Sequence, residues 1–334
     1  MNISHSIWNE NPVIYVVVKR IWALLAGIIY PFAHFCVLTK SPKKCGYLKW
    51  VVYLHCFWIT CEWLSGSFLI DIFDFQPSVT IRVDGLLNNV LDPVLLYTIY
   101  ICVDSLSSTS ALILFTSRIF MIMNMYRQYL SHLRIFCELM IYVLVVIFGL
   151  WTIPTAIWSI PDQTSEKLKI SQDGQPYPDC LWDDNVVAVF DSGSQSEHLV
   201  SILTILNWVS CGIAIFVAAK IAFFLLAKRM VNESKATRRM NKKFNQRTIL
   251  QAFIFLFFSC VPFTVLHLTI IFGLYIPGIT YFIDIFSENH PTACVVALFL
   301  FYDPYQIYLF KIIGWNPKHM SKTSTSATFV VLRN

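Results

Sequence analysis

The sequence predicts an all-α membrane protein, a bundle of seven transmembrane helices with the N-terminus outside and the C-terminus inside. Three observations carry that expectation. Seven stretches, 21–38, 50–73, 93–117, 135–158, 199–226, 248–276 and 291–313, are apolar and long. Each is long enough to cross a bilayer, because about 20 residues rising about 1.5 Å each span a hydrocarbon core about 30 Å thick. The composition, 56% hydrophobic and 13% charged over 334 residues, is not that of a soluble domain. The loops segregate by charge. The first, third and fifth connections and the C-terminal tail hold 18 of the 25 Lys and Arg, whereas the N-terminus and the other connections hold 14 of the 20 Asp and Glu. Basic residues stay cytoplasmic during insertion, and an odd number of spans puts the ends on opposite sides, so count and charge agree. Lys19-Arg20, just before the first apolar run, is the one dissent.

In chain order, residues 1–20 read as an extracellular N-terminus, 21–313 as the membrane domain and 314–334 as a cytoplasmic tail. Asn2-Ile3-Ser4 is a glycosylation sequon on the outer side, with Asn2 as acceptor. No small-residue cleavage site follows the first run, which reads as an uncleaved signal anchor. Pro31, Pro154, Pro262 and Pro304 interrupt spans, and each removes a backbone hydrogen bond and favours a kink. Pro262 in span six and Pro304 in span seven read either as ordinary membrane prolines or as pivots of a helix swing.

Charges within spans are costly and face other helices. Glu62 sits in the middle of span two, Asp104 in the middle of span three, and Asp303 toward the inner end of span seven. Asp104 reads as a counter-ion for a cationic ligand or as a partner of Ser105, Ser107, Ser108, Thr109 and Ser110. Tyr97, Tyr100, Trp151 and His267 fall in outer halves and can line a pocket or serve as packing and interfacial belt residues. Segment 159–198 is polar with turn signals, either a short hairpin or an irregular lid. Arg118 closes span three at the cytoplasmic mouth, as a partner contact or a simple interface marker. The 228–247 loop holds eight basic residues, among them Arg238, Arg239, Lys242 and Lys243. Such a stretch binds anionic lipid or an acidic protein surface.

The function classes narrow accordingly. Basic residues beside apolar spans make membrane lipid a partner and exclude nucleic acid. Nine of the ten cysteines lie in or beside spans and read as small apolar filler, with no metal-site spacing. No nucleophile–base pattern suggests an enzyme, no cofactor is implied, and no internal repeat points to a transporter.

Ser234-Lys235-Ala236-Thr237-Arg238-Arg239-Met240-Asn241-Lys242-Lys243-Phe244, Gln251, Val261-Pro262-Phe263, Asn289-His290-Pro291-Thr292 and Asp303-Pro304-Tyr305 together carry a resemblance. The chain resembles a G-protein-coupled receptor, and most closely the nematode serpentine chemoreceptors of class H. The resemblance covers the whole layout and is motif-specific in spans six and seven. The acid-arginine-tyrosine triplet of rhodopsin-like receptors is replaced by Ser117-Arg118-Ile119, and Gln306 stands where class H usually has arginine.

The resemblance implies a small-molecule ligand among the outer helix halves, with Glu62, Tyr97, Tyr100, Asp104, Trp151 and His267 as candidates. It implies a heterotrimeric G protein at Arg118, Arg238, Arg239, Lys242 and Lys243, and a conformational switch at Pro262, Asp303, Pro304 and Tyr305. It also implies a place in the plasma membrane, at the cilium of a sensory neuron. The alternative is a ligand-gated channel of the seven-span odorant-receptor type, which has the opposite orientation.

Overall fold

Proline and glycine decide where the first apolar run bends. In a computed structural model of the chain it folds as two helices, α1 (Val13–Gly27) and α2 (Ile29–Lys40). Pro31 has no N–H to donate to the Gly27 carbonyl, and the helix breaks there. The structure describes residues 6–10, 12–41, 46–76, 78–124, 131–191, 198–210, 252–254 and 256–314, with single helical positions between 213 and 250. Helix α3 (Tyr47–Leu64) follows and ends in a π-turn, Ser65–Leu69. Strands β1 (Ile72–Asp74) and β2 (Thr80–Val83) form a hairpin ahead of the long α4 (Pro93–Asn124) and α5 (Ser131–Ser159). Helix α6 (Gln163–Gln172), strand β3 (Val186–Ala188) and helix α7 (His198–Ser210) come next. The described chain ends with α8 (Val261–Phe272), α9 (Pro277–Phe301) and α10 (Asp303–Ile312).

Among the described residues, Val13–Lys40, Pro93–Ser117 and Ala252–Phe272 are each long and apolar enough to cross a membrane. A fourth candidate is the pair Gly278–Leu300 and Pro304–Ile312, bent by 92°. That bend corrects the sequence reading of span seven. Its helix begins at Pro277 and stops at Phe301, and Tyr302 takes extended angles (φ −104°, ψ 105°). Asp303 and Pro304 therefore open a separate helix beyond the bend, and Pro304 sits in its first turn, where its missing N–H costs nothing. The proline within α9 is Pro291.

A three-stranded antiparallel sheet, in the order β1-β2-β3, caps one end of the bundle, a feature an all-α reading omits. Ile72 pairs with Val83, and Ile81 with Val187. Segment 159–198 thus supplies a helix and a strand. Gly85 fixes how this cap meets α3: a Cβ there would lie 2.2 Å from the Leu69 carbonyl oxygen. With the backbones that close, Gly85 N–H donates to Ile70 O at 2.8 Å, and Asp84 N–H to Asp71 O at 2.9 Å. The preceding chain also packs on the cap. Trp8 Nε1 donates to Gln76 O at 3.1 Å, and Cys180 N–H donates to Glu10 at 3.1 Å. Burial, with Glu10 close by, pushes the Cys180 thiol up to about 12. Asp162 caps α6 by accepting from Ser165 N–H at 3.0 Å, which holds its carboxyl below the ordinary range.

The bundle core joins α2, α3, α4 and α9 through Tyr30, Cys36, Ile59, Leu114, Val295 and Leu298. Small residues permit close approach. Gly27 does so at α1, where a Cβ would sit 2.9 Å from the Trp63 ring. On α5, Leu139, Val143, Ile147 and Trp151 recur every four residues and are exposed. A helical stripe of that kind suits lipid.

Candidate functional site

An ionisable side chain inside a bundle must find partners on neighbouring helices, because an unpaired buried charge costs several kcal/mol. Glu62 on α3 does so twice. Its carboxylate accepts a hydrogen bond from the Ser107 hydroxyl of α4. Its other oxygen lies 3.0 Å from Nδ1 of His290 on α9. Exposure of the three is 7%, 0% and 2%. The far nitrogen of His290 is 3.4 Å from Cys294 Sγ, one turn along. Toward the far end of α4, Ser110 donates to Ser107 O at 2.6 Å, so its one proton is used. The 2.9 Å contact between Ser110 Oγ and His55 Nδ1 then makes the imidazole the donor.

The Asn289-His290-Pro291-Thr292 element is a hub. Asn289 Oδ1 accepts from Trp22 Nε1 of α1 at 2.7 Å, His290 meets Glu62 of α3, and Thr292 Oγ1 lies 3.1 Å from Tyr30 OH of α2. Three polar side chains within four residues thereby tie α9 to three helices. Beside the hub, the hydroxyls of Ser105, Ser108 and Thr109 are buried without hydrogen-bond partners. It is Glu62, and not Asp104, that takes a hydroxyl of the Ser-Thr cluster.

A second charged cluster lies where the bundle meets the sheet. Lys19 Nζ is 2.7 Å from Asp71 and also contacts Glu288, while Arg20 pairs with Asp71 and donates to the Ser67 carbonyl. Asp71 holds its place with φ 48°, left-handed backbone that aspartate tolerates. Lys19 and Arg20 are therefore inside a helix and paired. Sequence reasoning saw them only as a dissenting charge. The signal available was that acids at 71 and 288 flank spans that a bundle can bring beside α1.

Of the ligand-binding candidates, Tyr100 lies near enough to Asp104, Glu288, Asp74 and Glu62 to share their electrostatic field. Tyr97 packs under the sheet with Ile81, Val83 and Val187, beside a crevice with no room for a water. His267 is buried on α8, 3.3 Å from Ser201 of α7. Trp151 is 41% exposed on the outward stripe of α5. Glu62, Tyr100 and Asp104 thus share one neighbourhood, from which His267 and Trp151 stand apart.

Of the switch candidates, Pro262 is the second residue of α8, just after a π-turn, Leu256–Cys260, and Phe263 next to it stacks on Trp208 at 5.6 Å. Tyr305 is buried, and its hydroxyl is 2.7 Å from Ser41 Oγ at the end of α2. Ser41 gives its own proton to Val37 O at 2.6 Å, so Tyr305 is the donor. Gln306 beside it has a buried amide oxygen without a partner. Arg118 lies on α4 and Asp303 opens α10, but their side chains fall outside the described residues, as do Asn2, Arg238, Arg239, Lys242 and Lys243.

Among the described residues no group of His, Cys, Asp and Glu is arranged to hold a metal ion. No curated protein and no solved structure matches the chain. The model of the family described as serpentine-type seven-transmembrane G-protein-coupled chemoreceptor Srh matches residues 10–315. With mostly helical architecture, apolar helices and a hub that joins them, the chain is a membrane receptor that belongs to the Srh chemoreceptor family.

Proposed function

We propose that the protein is a chemosensory receptor that binds a small molecule among the outer halves of its helices and activates a heterotrimeric G protein at a basic cytoplasmic face. The observation that carries this reading is the family match over residues 10–315. The charge bias of the loops supports seven spans with the N-terminus and the sheet outside, and with the 228–247 loop and the 314–334 tail inside. It supports the plasma membrane as the site of action, with the sensory cilium as its special location. It also disfavours a channel of the opposite orientation.

Glu62, Tyr100 and Asp104 form the proposed ligand neighbourhood, with Tyr97 one turn away. Ligand contact there biases the Glu62–Ser107–His290 network, which spans α3, α4 and α9. A ligand shifts such a bundle only as far as it prefers one arrangement over the other. The swing passes through Pro262 and the Tyr305–Ser41 contact to Arg118, Arg238, Arg239, Lys242 and Lys243. Asn2 is the proposed glycan acceptor.

The test is ligand-stimulated nucleotide exchange on a co-expressed G protein, with Arg238 and Arg239 neutralised as the coupling control. The reading expects exchange in the parent receptor and its loss in the neutralised variant at unchanged surface expression. Exchange that survives neutralisation would remove the loop from the mechanism.

A further inference from the structure

Carboxylates outnumber cations where strand β1 meets the bundle. Asp71, Asp74, Asp284 and Glu288 gather there around Lys19 and Arg20 of α1. Lys19 lies 2.7 Å from Asp71 and also contacts Glu288, and Arg20 pairs with Asp71. Both cations are thus committed to Asp71 and Glu288. Among the described residues neither Asp74 nor Asp284 has an ion pair of its own. Asp284, 5% exposed on α9, lies within electrostatic reach of the other three acids, and its Oδ2 atom is buried without a hydrogen-bond partner.

Asp74 differs in access. Side chains alternate along a strand, so Phe73 and Phe75 pack with Trp8 on one face of β1 while Asp74 turns to the other. There it meets the fields of Lys19 from α1, Tyr97 and Tyr100 from α4, and Asp284 from α9. Arg82, opposite Phe73 in the ladder, pairs with Asp84 and lies over Phe73 and Phe75 on the first face. Asp74 stays half-buried, so protons reach it from water. A carboxylate short of both water and a cation takes up a proton instead of keeping its charge. Burial accordingly pushes the Asp74 carboxyl up to about 6, with Gln76 and Lys19 pulling the other way. Tyrosine ordinarily ionises near about 10, so Tyr97, Tyr100 and the two tyrosines beside Asp284, Tyr15 and Tyr281, do not titrate in this range.

We infer that this cluster is a proton-binding site of the cap. As the medium turns acid, Asp74 takes up a proton, stops competing for Lys19, and leaves Lys19 to Asp71 and Glu288, which tightens α1 on α9. The proton site stands on the cluster itself, and only its facing the outside medium rests on the sidedness proposed above.

Thermal unfolding of the full-length receptor in lipid nanodiscs, where both faces see one buffer, tests the site without orientation or signalling. The folded protein holds a proton on Asp74 that the unfolded chain gives up near about 4. This stability is therefore fully present below about 4 and is lost as pH rises through about 6. Between about pH 7 and about pH 5 the parent should gain up to about tenfold in its folding equilibrium relative to Asp74→Asn, which resembles the protonated form throughout. Glu288→Gln releases Lys19 to serve Asp74 and should move that step to lower pH. The infrared band of a protonated carboxyl should grow in the parent over the same range and be missing from the Asp74→Asn difference spectrum. Should Asp74→Asn fail to fold, the shift in Glu288→Gln decides alone. A difference between parent and Asp74→Asn that does not change with pH, a step that Glu288→Gln leaves in place, or a step that follows added sodium or calcium chloride at fixed pH would each overturn the inference. Each of these results would leave the receptor reading intact.

Discussion

Helix α9 presents two ionisable side chains two positions apart, Glu288 and His290, and they serve opposite ends. At about 100° per residue they point to opposite sides of the helix. Glu288 enters the cluster at the sheet, where Lys19 lies between two carboxylates and Arg20 adds a second cation to Asp71. Every charge in that chain has an opposite neighbour, and the Arg20 guanidinium also reaches the Ser67 carbonyl. His290 enters the deeper network, where a single carboxylate is shared by one hydroxyl and one imidazole. Around it, Ser105, Ser108 and Thr109 keep hydroxyls that bond nothing. The Lys19–Arg20–Asp71–Glu288 pairs fasten α1 and α9 to the chain that enters the sheet. The deeper network has spare hydrogen-bonding capacity and can exchange partners when helices shift. Rigidity at one level and choice at the next is what a ligand-operated bundle needs.

Removing the sole carboxylate of the deeper network has the largest expected effect. Glu62→Ala removes the carboxylate that His290 and Ser107 share, and should lower stability by about 4 kcal/mol, while Glu62→Gln should cost less than half of that. Thermal unfolding in nanodiscs reads both. At the sheet end, Lys19→Met should cost about 3 kcal/mol, because two carboxylates lose their shared cation. Adding Glu288→Gln should recover most of that loss, with Asp71 still held by Arg20. Failure to recover would show that the cluster is not a balanced chain of charges. Gly85→Ala asks whether backbone contact positions Asp71. The added methyl must displace the Leu69 carbonyl, and a cost of about 2 kcal/mol is expected by analogy with overpacked cores. It should also weaken the Lys19→Met effect, since Asp71 no longer sits against Lys19.

The smallest effect concerns the rim of the sheet. Asp162→Ala removes the cap on Ser165 N–H. The Asp162 carboxyl is held low by that hydrogen bond, so its contribution is fully present above its unfolded value of about 4 and is lost as pH falls through the lower folded value. The difference in melting temperature between the parent and the variant should therefore shrink to nothing in strong acid. A difference that persists there would assign the cap to something other than the carboxylate.

The sequence made the deeper network half legible. Glu62 stands out as an acid in the middle of an apolar run, and such an acid demands a partner. Which of several span histidines answers depends on how helices rotate, and periodicity alone does not contain that. The sheet was hidden for a different reason. Ile72-Phe73-Asp74 continues the apolar run of α3, and Val186-Val187-Ala188 is too short to alternate visibly. Span seven was displaced because Asp284 and Glu288 depress hydropathy in the first half of α9, while Ile307, Leu309 and Phe310 raise it in α10. The acids belong to the helix because α1 brings Lys19 to them.

The receptor account stands on sidedness, with the sheet outside the cell and the basic loop within. Labelling intact cells with a membrane-impermeant maleimide, with cysteine placed at Gln172 or at Lys242, measures it directly. Background at native Cys180 is low because its thiol is pushed up to about 12 by burial and by Glu10. The account predicts rapid labelling of Gln172→Cys on intact cells and of Lys242→Cys only after permeabilisation. Labelling of Lys242→Cys from the outside, with Gln172→Cys protected, would contradict it.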